Sequence, residues 1–297
     1  MIAFIAFFIF LFETFLTILK VKKINFVILS VLIANIFLLF GLIIGLVLAL
    51  GYSGIIDIDI TNYLKTHVFT VLIGYVGITI MGMSLVLLPM FWLSHGFSWI
   101  YVKIAISLLT FGIVLITLSS IFRNIFLEYV GYFFNIFALI LYFYQIFIIY
   151  KKRVRIELDI YFKSMFFSYL SLIVSIVLSI IYMTNPNEKL LLAIFWLVFA
   201  GFISFIIIGH LYKILPFLVW FDRFSSLVGK KKVPMLADMI PVRSAKFQFV
   251  FSTLGVVIIG FSIILNLDIL LKSGISFLLV GTLFLVKDIF YMINFKE

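Results

Sequence analysis

Long runs of apolar residues, separated by short polar connections, make up most of the chain. Nine of these runs contain the roughly 20 residues that a bilayer-spanning helix requires. They cover approximately residues 2–19, 25–51, 67–94, 99–122, 128–150, 163–183, 190–221, 247–267 and 275–294. The connections between them are mostly short, which favours antiparallel packing of neighbours. The pattern therefore predicts an all-α, polytopic membrane protein of about nine helices.

The basic residues give this topology a direction. If the N-terminus lies outside, 16 of the 22 Lys and Arg residues fall in inner connections or the C-terminal tail, four fall in outer connections and two fall within spans. Such a bias obeys the positive-inside rule. Residues 1–19 are preceded by no basic residue and followed by Lys20, Lys22 and Lys23, the reverse of a signal peptide. We predict a true first helix, an outer N-terminus and a cytoplasmic C-terminus in the plasma (inner) membrane.

Composition excludes several classes of function. The chain is 66% hydrophobic and 11% charged, whereas a soluble globular protein is about 45–50% apolar and ~25% charged. Cysteine is absent, so disulfides, thiolate metal sites and iron–sulfur clusters are excluded. The net charge of +10 follows from the topology, and we expect no nucleic-acid partner.

Two stretches of the chain repeat each other at an offset of 127 residues. Residues 74–92 and 201–219 share the frame G-x7-G-x5-L-P, which places Gly82 and Pro89 opposite Gly209 and Pro216. Glycine allows close helix approach, and proline frees a carbonyl and bends a membrane helix. Both copies fall on spans that run from outside to inside. We therefore predict one N-terminal helix (1–24) followed by two parallel four-helix repeats, 25–150 and 151–297.

The segment RFSSLVGKKKVPMLADMIPVRSAK (223–246) is the one sizeable connection. Its basic run and two prolines favour an irregular segment that lies against anionic headgroups. A docking site for a membrane or soluble partner is the alternative. No Walker loop, H-E-x-x-H or G-x-S-x-G motif is present anywhere in the chain.

Residues 66–91, THVFTVLIGYVGITIMGMSLVLLPMF, resemble the haem-binding second helix of haem–copper oxidase subunit I and its smaller relatives. In that family a histidine opens the helix, glycines follow and a proline closes it, as His67, Gly82 and Pro89 do here. The family is also built from consecutive four-helix arcs. The resemblance covers mainly 66–97 and 200–241. It implies a reduced relative that binds one haem or metal, or that assists a respiratory or nitrogen-oxide system.

Three histidines are too few for the copper centre and two haems of the oxidases. His67 is interpreted either as an interfacial residue or, through the resemblance, as an axial haem ligand. His95 lies at an inner turn, where a structural role is expected. His210 falls in the inner half of its span, so it should differ in depth from His67. We therefore do not expect His67 and His210 to share one iron. His95 and His210 are closer in depth, and all three histidines remain candidate cofactor ligands.

Four ionisable residues within the spans form a second candidate site. Glu13, Lys213, Lys287 and Asp288 all fall in the inner part of their helices. Charged groups in lipid turn inward and find partners, so we expect Glu13 or Asp288 to pair with Lys213 or Lys287. A snorkelling lysine is the simpler interpretation. His210 and Lys213 are three residues apart, so they share one helix face.

Three functions remain open at this point. The chain is a haem–copper-oxidase-like protein, a small-solute or ion transporter, or a non-catalytic assembly subunit. The repeat, the prolines in spans and the intramembrane charges favour the transporter. The resemblance favours haem. The loop 223–246 favours the assembly subunit.

Overall fold

The computed structural model describes residues 2–296, and this part of the chain is 82% helical and contains no strand. Nine of its helices are long and apolar enough to cross a membrane, as the sequence predicts. They are α1 (Ile2–Leu19), α2 (Phe26–Tyr52), α3 (Ile60–Trp92), α4 (Ile100–Phe122), α5 (Ile125–Lys151), α6 (Ile160–Thr184), α7 (Glu188–Arg223), α8 (Val242–Leu265) and α9 (Asp268–Ile293). The multi-pass helical membrane fold is therefore confirmed.

Some helices begin earlier than hydropathy predicts, because their first turns are polar. α3 begins at Ile60 instead of 67, since the carboxylate of Asp59 accepts a hydrogen bond from the backbone N–H of Asn62. Asp159 caps α6 in the same way through Phe162. Such caps satisfy N–H groups that a helix start leaves unpaired. His67 consequently lies two turns inside α3 and does not open the helix, contrary to the layout that the oxidase resemblance implies.

The chain divides into two compact units, residues 1–156 and 157–297. In unit 1, α2 packs against α1 and α3, and α4 packs against α5. α1 is peripheral, because Leu11 is its one buried residue. In unit 2, α6 packs against α7, and α8 packs against α9.

Contacts inside one unit recur inside the other. In unit 1 a Cβ added at Gly82 would meet Ser30, and one added at Gly74 would meet Phe37. In unit 2, a Cβ added at Gly209 would meet Ser164, and one added at Gly201 would meet Ser171. These two partners lie 134 residues after the partners in unit 1. The contact between α4 and α5 recurs between α8 and α9, since Gly112 packs on Gly131 and Gly255 packs on Gly274. These shared contacts support an internal repeat, while its parallel orientation stays a prediction.

The second helix of each repeat, α3 or α7, departs from α-helical geometry. Phe69–Gly77 in α3 and Leu197–Ile203 in α7 are π-helical, and each segment contains the repeat's first glycine. The α-helix continues through Pro89 and Pro216 without a break. The departure from α-helical geometry lies about three turns upstream of the prolines, and the bend expected at the prolines stays a prediction. π-Helical segments are rare and frequently occur at functional sites.

The connection between α7 and α8 is shorter and more ordered than the sequence suggests. Residues 242–246 of the predicted loop form the first turn of α8. The indole N–H of Trp220 donates to the carbonyl of Pro234 at 2.8 Å, and Met239 is fully buried. These contacts hold residues 224–241 against the end of α7.

Candidate functional site

Asp288 of α9 is a carboxylic acid enclosed within unit 2. Its carboxylate is fully buried, and Oδ2 accepts a hydrogen bond from the hydroxyl of Tyr212 at 2.6 Å. Tyr212, Ala245 and Met292 form the apolar cluster around this pair. An ionisable side chain in such a place must be bonded or neutralised, because burial of an unpaired charge is very unfavourable.

Polar residues on α8 extend this site. Ser244, Gln248 and Ser252 follow one another at intervals of four residues, so they lie on one helix face. The amide of Gln248 donates to the hydroxyl of Ser252 at 3.0 Å, and the hydroxyl of Ser244 neighbours the carboxylate of Asp288. We call Tyr212, Ser244, Gln248, Ser252 and Asp288 the buried polar site.

Three oxygens of this site have no hydrogen bond of good geometry. They are Oδ1 of Asp288, Oε1 of Gln248 and Oγ of Ser244, and each atom is buried. Buried polar atoms in native proteins are nearly always bonded to protein, water or an ion. A set of one carboxylate, one amide and one hydroxyl oxygen offers a single negative charge, which balances one proton or one monovalent cation.

Unit 1 does not carry the same polarity. When Gly131 is aligned with Gly274, as their packing suggests, Gln145 corresponds to Asp288. Gln145 is buried, and its side-chain nitrogen and oxygen have no hydrogen-bond partner. Leu85 corresponds to Tyr212. The three polar residues of α8, Ser244, Gln248 and Ser252, correspond in that order to Tyr101, Ala105 and Leu109. The site is therefore an addition to the second repeat and is not required by the repeat's packing.

His210 and Lys213 of α7 lie against the first turn of α6. The ring of Tyr161 meets the ring of His210 edge-on at 5.2 Å, and its hydroxyl lies 3.5 Å from Nε2. Nδ1 of His210 donates to the carbonyl of Ile206 at 2.8 Å. Lys213 binds the carboxylate of Asp159 at 2.5 Å. Because Asp159 caps α6, this group lies at the end of the helix bundle.

The pairing expected from sequence is thus corrected. Lys213 binds Asp159, which lies outside the predicted spans, while Asp288 is bonded by Tyr212. Glu13 is exposed on the peripheral α1, and Lys287 is exposed on α9.

We expect the Lys213–Asp159 pair to contribute little stability. Its side chains are 13% and 24% exposed, and ion pairs near solvent typically contribute about 1 kcal/mol or less. A double-mutant cycle with Lys213→Gln and Asp159→Asn, followed by thermal unfolding in detergent, measures the coupling. A coupling of about 3 kcal/mol, typical of a broken buried pair, would contradict this assignment.

His67 is the histidine whose geometry best suits a metal ligand. It is half-buried, and its Nδ1 lies 2.9 Å from the carbonyl of Gly41. A carbonyl only accepts, so Nδ1 carries the proton and the neutral ring keeps a lone pair on Nε2. Gly45 gives the ring room, since a Cβ there would lie 3.0 Å from Cε1. Metal-bound histidines commonly donate their other N–H to such a carbonyl.

The other histidines fit a cofactor less well. His95 is exposed in the turn after α3, as expected for an interfacial residue, and the His210 ring is enclosed by Tyr161 and its own helix. Among residues 2–296, no group of three or more His, Asp or Glu could hold a metal ion. Among the three histidines, the geometry therefore fits a single axial ligand at His67.

Sequence inspection missed most partners in these sites. Asp159 and Tyr161 were not recognised as partners of Lys213 and His210, because a capping aspartate and a tyrosine near the end of a span are common features. The stripe of Ser244, Gln248 and Ser252 did leave a signal, since three polar residues four apart lie on one face of an otherwise apolar helix.

No protein-family model matches the chain, and neither a curated protein nor a solved structure is significantly similar to it. The class of the molecule, a multi-pass α-helical membrane protein, therefore rests on its own helices. Its resemblance to the haem–copper oxidases stays a hypothesis.

Proposed function

We propose that the protein is a cation-coupled secondary transporter, with the buried polar site as the place where a proton or Na⁺ binds. The observation that carries this proposal is a fully buried Asp288 whose Oδ1 accepts no hydrogen bond of good geometry. Ionisable residues inside membrane helices are rare and mark ion pathways and proton relays. Here Oδ2 accepts a hydrogen bond from Tyr212. The Ser244 hydroxyl neighbours the same carboxylate, whose Oδ1 is the oxygen that would face a cation.

The chemistry of the neighbours suits a small hard cation. Carboxylate, amide and hydroxyl oxygens are its preferred ligands, and Asp288, Gln248 and Ser244 supply one of each. Binding of a proton or Na⁺ neutralises the carboxylate inside an apolar cluster, which removes the unfavourable burial of charge. Release leaves the site charged. The two states therefore differ in electrostatic energy, as a coupling site requires.

The paired π-helical segments support transport as well. Interrupted helices at corresponding positions of two repeats point to a substrate-binding region in transporters. Phe69–Gly77 and Leu197–Ile203 are such a pair. An N-terminus outside, a cytoplasmic C-terminus and a location in the inner membrane complete the proposal, on the strength of the basic residues in the inner connections.

Dicyclohexylcarbodiimide tests the cation site without knowledge of the transported solute. This reagent forms an N-acylurea adduct with protonated carboxyl groups in apolar surroundings. We expect modification of Asp288, located by peptide mass spectrometry, and loss of that adduct in Asp288→Asn. Protection by Na⁺ identifies a sodium site, and an increase at lower pH without Na⁺ protection identifies a proton site.

Glu13→Gln is the matched control, because Glu13 is an intramembrane carboxylate that lies exposed on α1. The control removes any adduct on Glu13 and should leave the Asp288 adduct unchanged. An absence of modification at Asp288 at every pH and Na⁺ concentration would contradict the proposal.

A single-haem protein is the second candidate, favoured by the hydrogen bond from His67 to Gly41. A haem held there would supply redox or gas-binding chemistry, and His67 would provide one axial nitrogen. Purification after expression with added haem, followed by a visible spectrum, is the test. This candidate predicts a Soret band that His67→Leu abolishes and His95→Leu retains. A spectrum without a Soret band rejects it.

A further inference from the structure

A groove of about 500 Å³ opens where α8 begins. It is lined by Pro241, Val242, Arg243, Ser244, Phe247, Phe284 and Lys287. Its polar lining is therefore cationic and its floor is aromatic. Asp288 follows Lys287 in sequence but turns into the core, where Tyr212 bonds it, so its charge does not face the groove.

A ladder of phenyl rings leads away from the groove along the surface between α8 and α9. The rings of Phe247 and Phe284 stack at 5.7 Å, Phe284 and Phe251 follow at 6.1 Å, and Phe251 and Phe277 end the ladder at 5.8 Å. Phe247 is 45% exposed, so the ladder is open to its surroundings at the end next to the groove. The ladder spans about one helical turn of α8, from residue 247 to residue 251, and about two turns of α9, from residue 284 to residue 277.

The two cations at the head of this ladder are Arg243 and Lys287. Arg243 and Lys287 are exposed, and within residues 2–296 neither forms an ion pair. In unit 1 the corresponding positions are Ile100 and Tyr144, which carry no charge. The pair of cations is thus specific to the second repeat. Their place at the start of α8 and near the end of α9 puts them at one boundary of the membrane-embedded bundle.

We propose that this groove binds an anionic phospholipid of the cytoplasmic leaflet, with its phosphate between Arg243 and Lys287 and an acyl chain along the phenylalanine ladder. Basic residues at a membrane boundary attract anionic headgroups, and a guanidinium binds phosphate oxygens through paired N–H donors. The apolar ladder gives an acyl chain a surface that a soluble phosphate would not use. The two cations and the apolar ladder therefore both favour a phospholipid with an anionic headgroup.

Native mass spectrometry of the detergent-purified protein with added phosphatidylglycerol tests the assignment. We expect bound phosphatidylglycerol on the wild type, with phosphatidylcholine bound about tenfold more weakly because it lacks net charge. Arg243→Gln with Lys287→Gln should weaken phosphatidylglycerol binding about tenfold or more. Lys246→Gln with Lys272→Gln removes the same charge outside the groove and should leave binding unchanged.

Competition distinguishes the lipid from a free anion. Glycerophosphoglycerol, the same headgroup without acyl chains, and inorganic phosphate should both fail to displace the lipid. Displacement by either compound would show that the groove binds an anion only and would overturn the proposal. Equal binding of phosphatidylcholine, or equal weakening by the two double variants, would overturn it as well. None of these outcomes depends on ion binding at Asp288.

Discussion

Gly112→Ala is expected to lower the free energy of unfolding by about 1–3 kcal/mol or more, because overpacking of a tight contact forces the backbone to move. A Cβ at position 112 would lie 2.8 Å from the carbonyl oxygen of Gly131 and 2.5 Å from the side-chain oxygen of Asn135. A backbone oxygen cannot rotate away. Close contact of α4 with α5 therefore depends on glycine, and thermal unfolding in detergent measures the loss.

Gly260→Ala is the matched control, since Gly260 also lies within a membrane-spanning helix. The nearest atom to its added Cβ is Cδ1 of Trp196 at 3.8 Å, an ordinary contact. Alanine in a helix interior is favoured over glycine by about 0.5–1 kcal/mol, so the control should be neutral or stabilised. Equal destabilisation by both changes would contradict the packing described for α4 and α5.

Tyr212→Phe is expected to lower the free energy of unfolding by about 1–3 kcal/mol, the penalty for leaving a buried acceptor without its donor. The change removes the one hydrogen bond of good geometry that Asp288 receives. Tyr291→Phe, at a tyrosine that is 47% exposed, should change stability little. Chemical or thermal unfolding in one detergent compares the two variants.

The double variant Tyr212→Phe with Asp288→Leu sharpens this prediction. Replacement of both partners by apolar groups removes the unpaired acceptor, so stability should recover toward that of the wild type. The same variant should lose the carbodiimide adduct. A double variant less stable than Tyr212→Phe alone would show that Asp288 stabilises the fold through other contacts and would contradict our account of the pair.

The spans could be predicted from sequence because hydropathy alone determines which segments suit a bilayer. Helix starts were less predictable. α9 begins at Asp268, seven residues before its apolar run, and α8 begins at Val242. Charged residues near their starts, Arg243 and Lys246 in α8 and Asp268 and Lys272 in α9, lower the mean hydropathy there, so a hydropathy window excludes these turns although the backbone is helical. The π-helical segments had no signal beyond Gly74 and Gly201, because propensity does not distinguish π from α geometry.

The candidate site was predicted in part. Asp288 and Lys213 stood out as charges within spans, but their partners could not be inferred. A long-range pair such as Tyr212–Asp288, separated by 76 residues, depends on the rotation of two helices about their axes. In a chain with 14 tyrosines and 38 phenylalanines, nothing marks Tyr212 as the residue that bonds a carboxylate.

The central claim is that a cation binds reversibly at Asp288 within the membrane. Solid-supported membrane electrophysiology on proteoliposomes tests this claim most directly, because a rapid jump in Na⁺ or proton concentration moves charge into the site even when no solute is transported. We predict a saturable transient current in the wild type and in Glu13→Gln, and its absence in Asp288→Asn. A folded wild-type protein without a transient to either ion, or an unchanged transient in Asp288→Asn, would contradict the account.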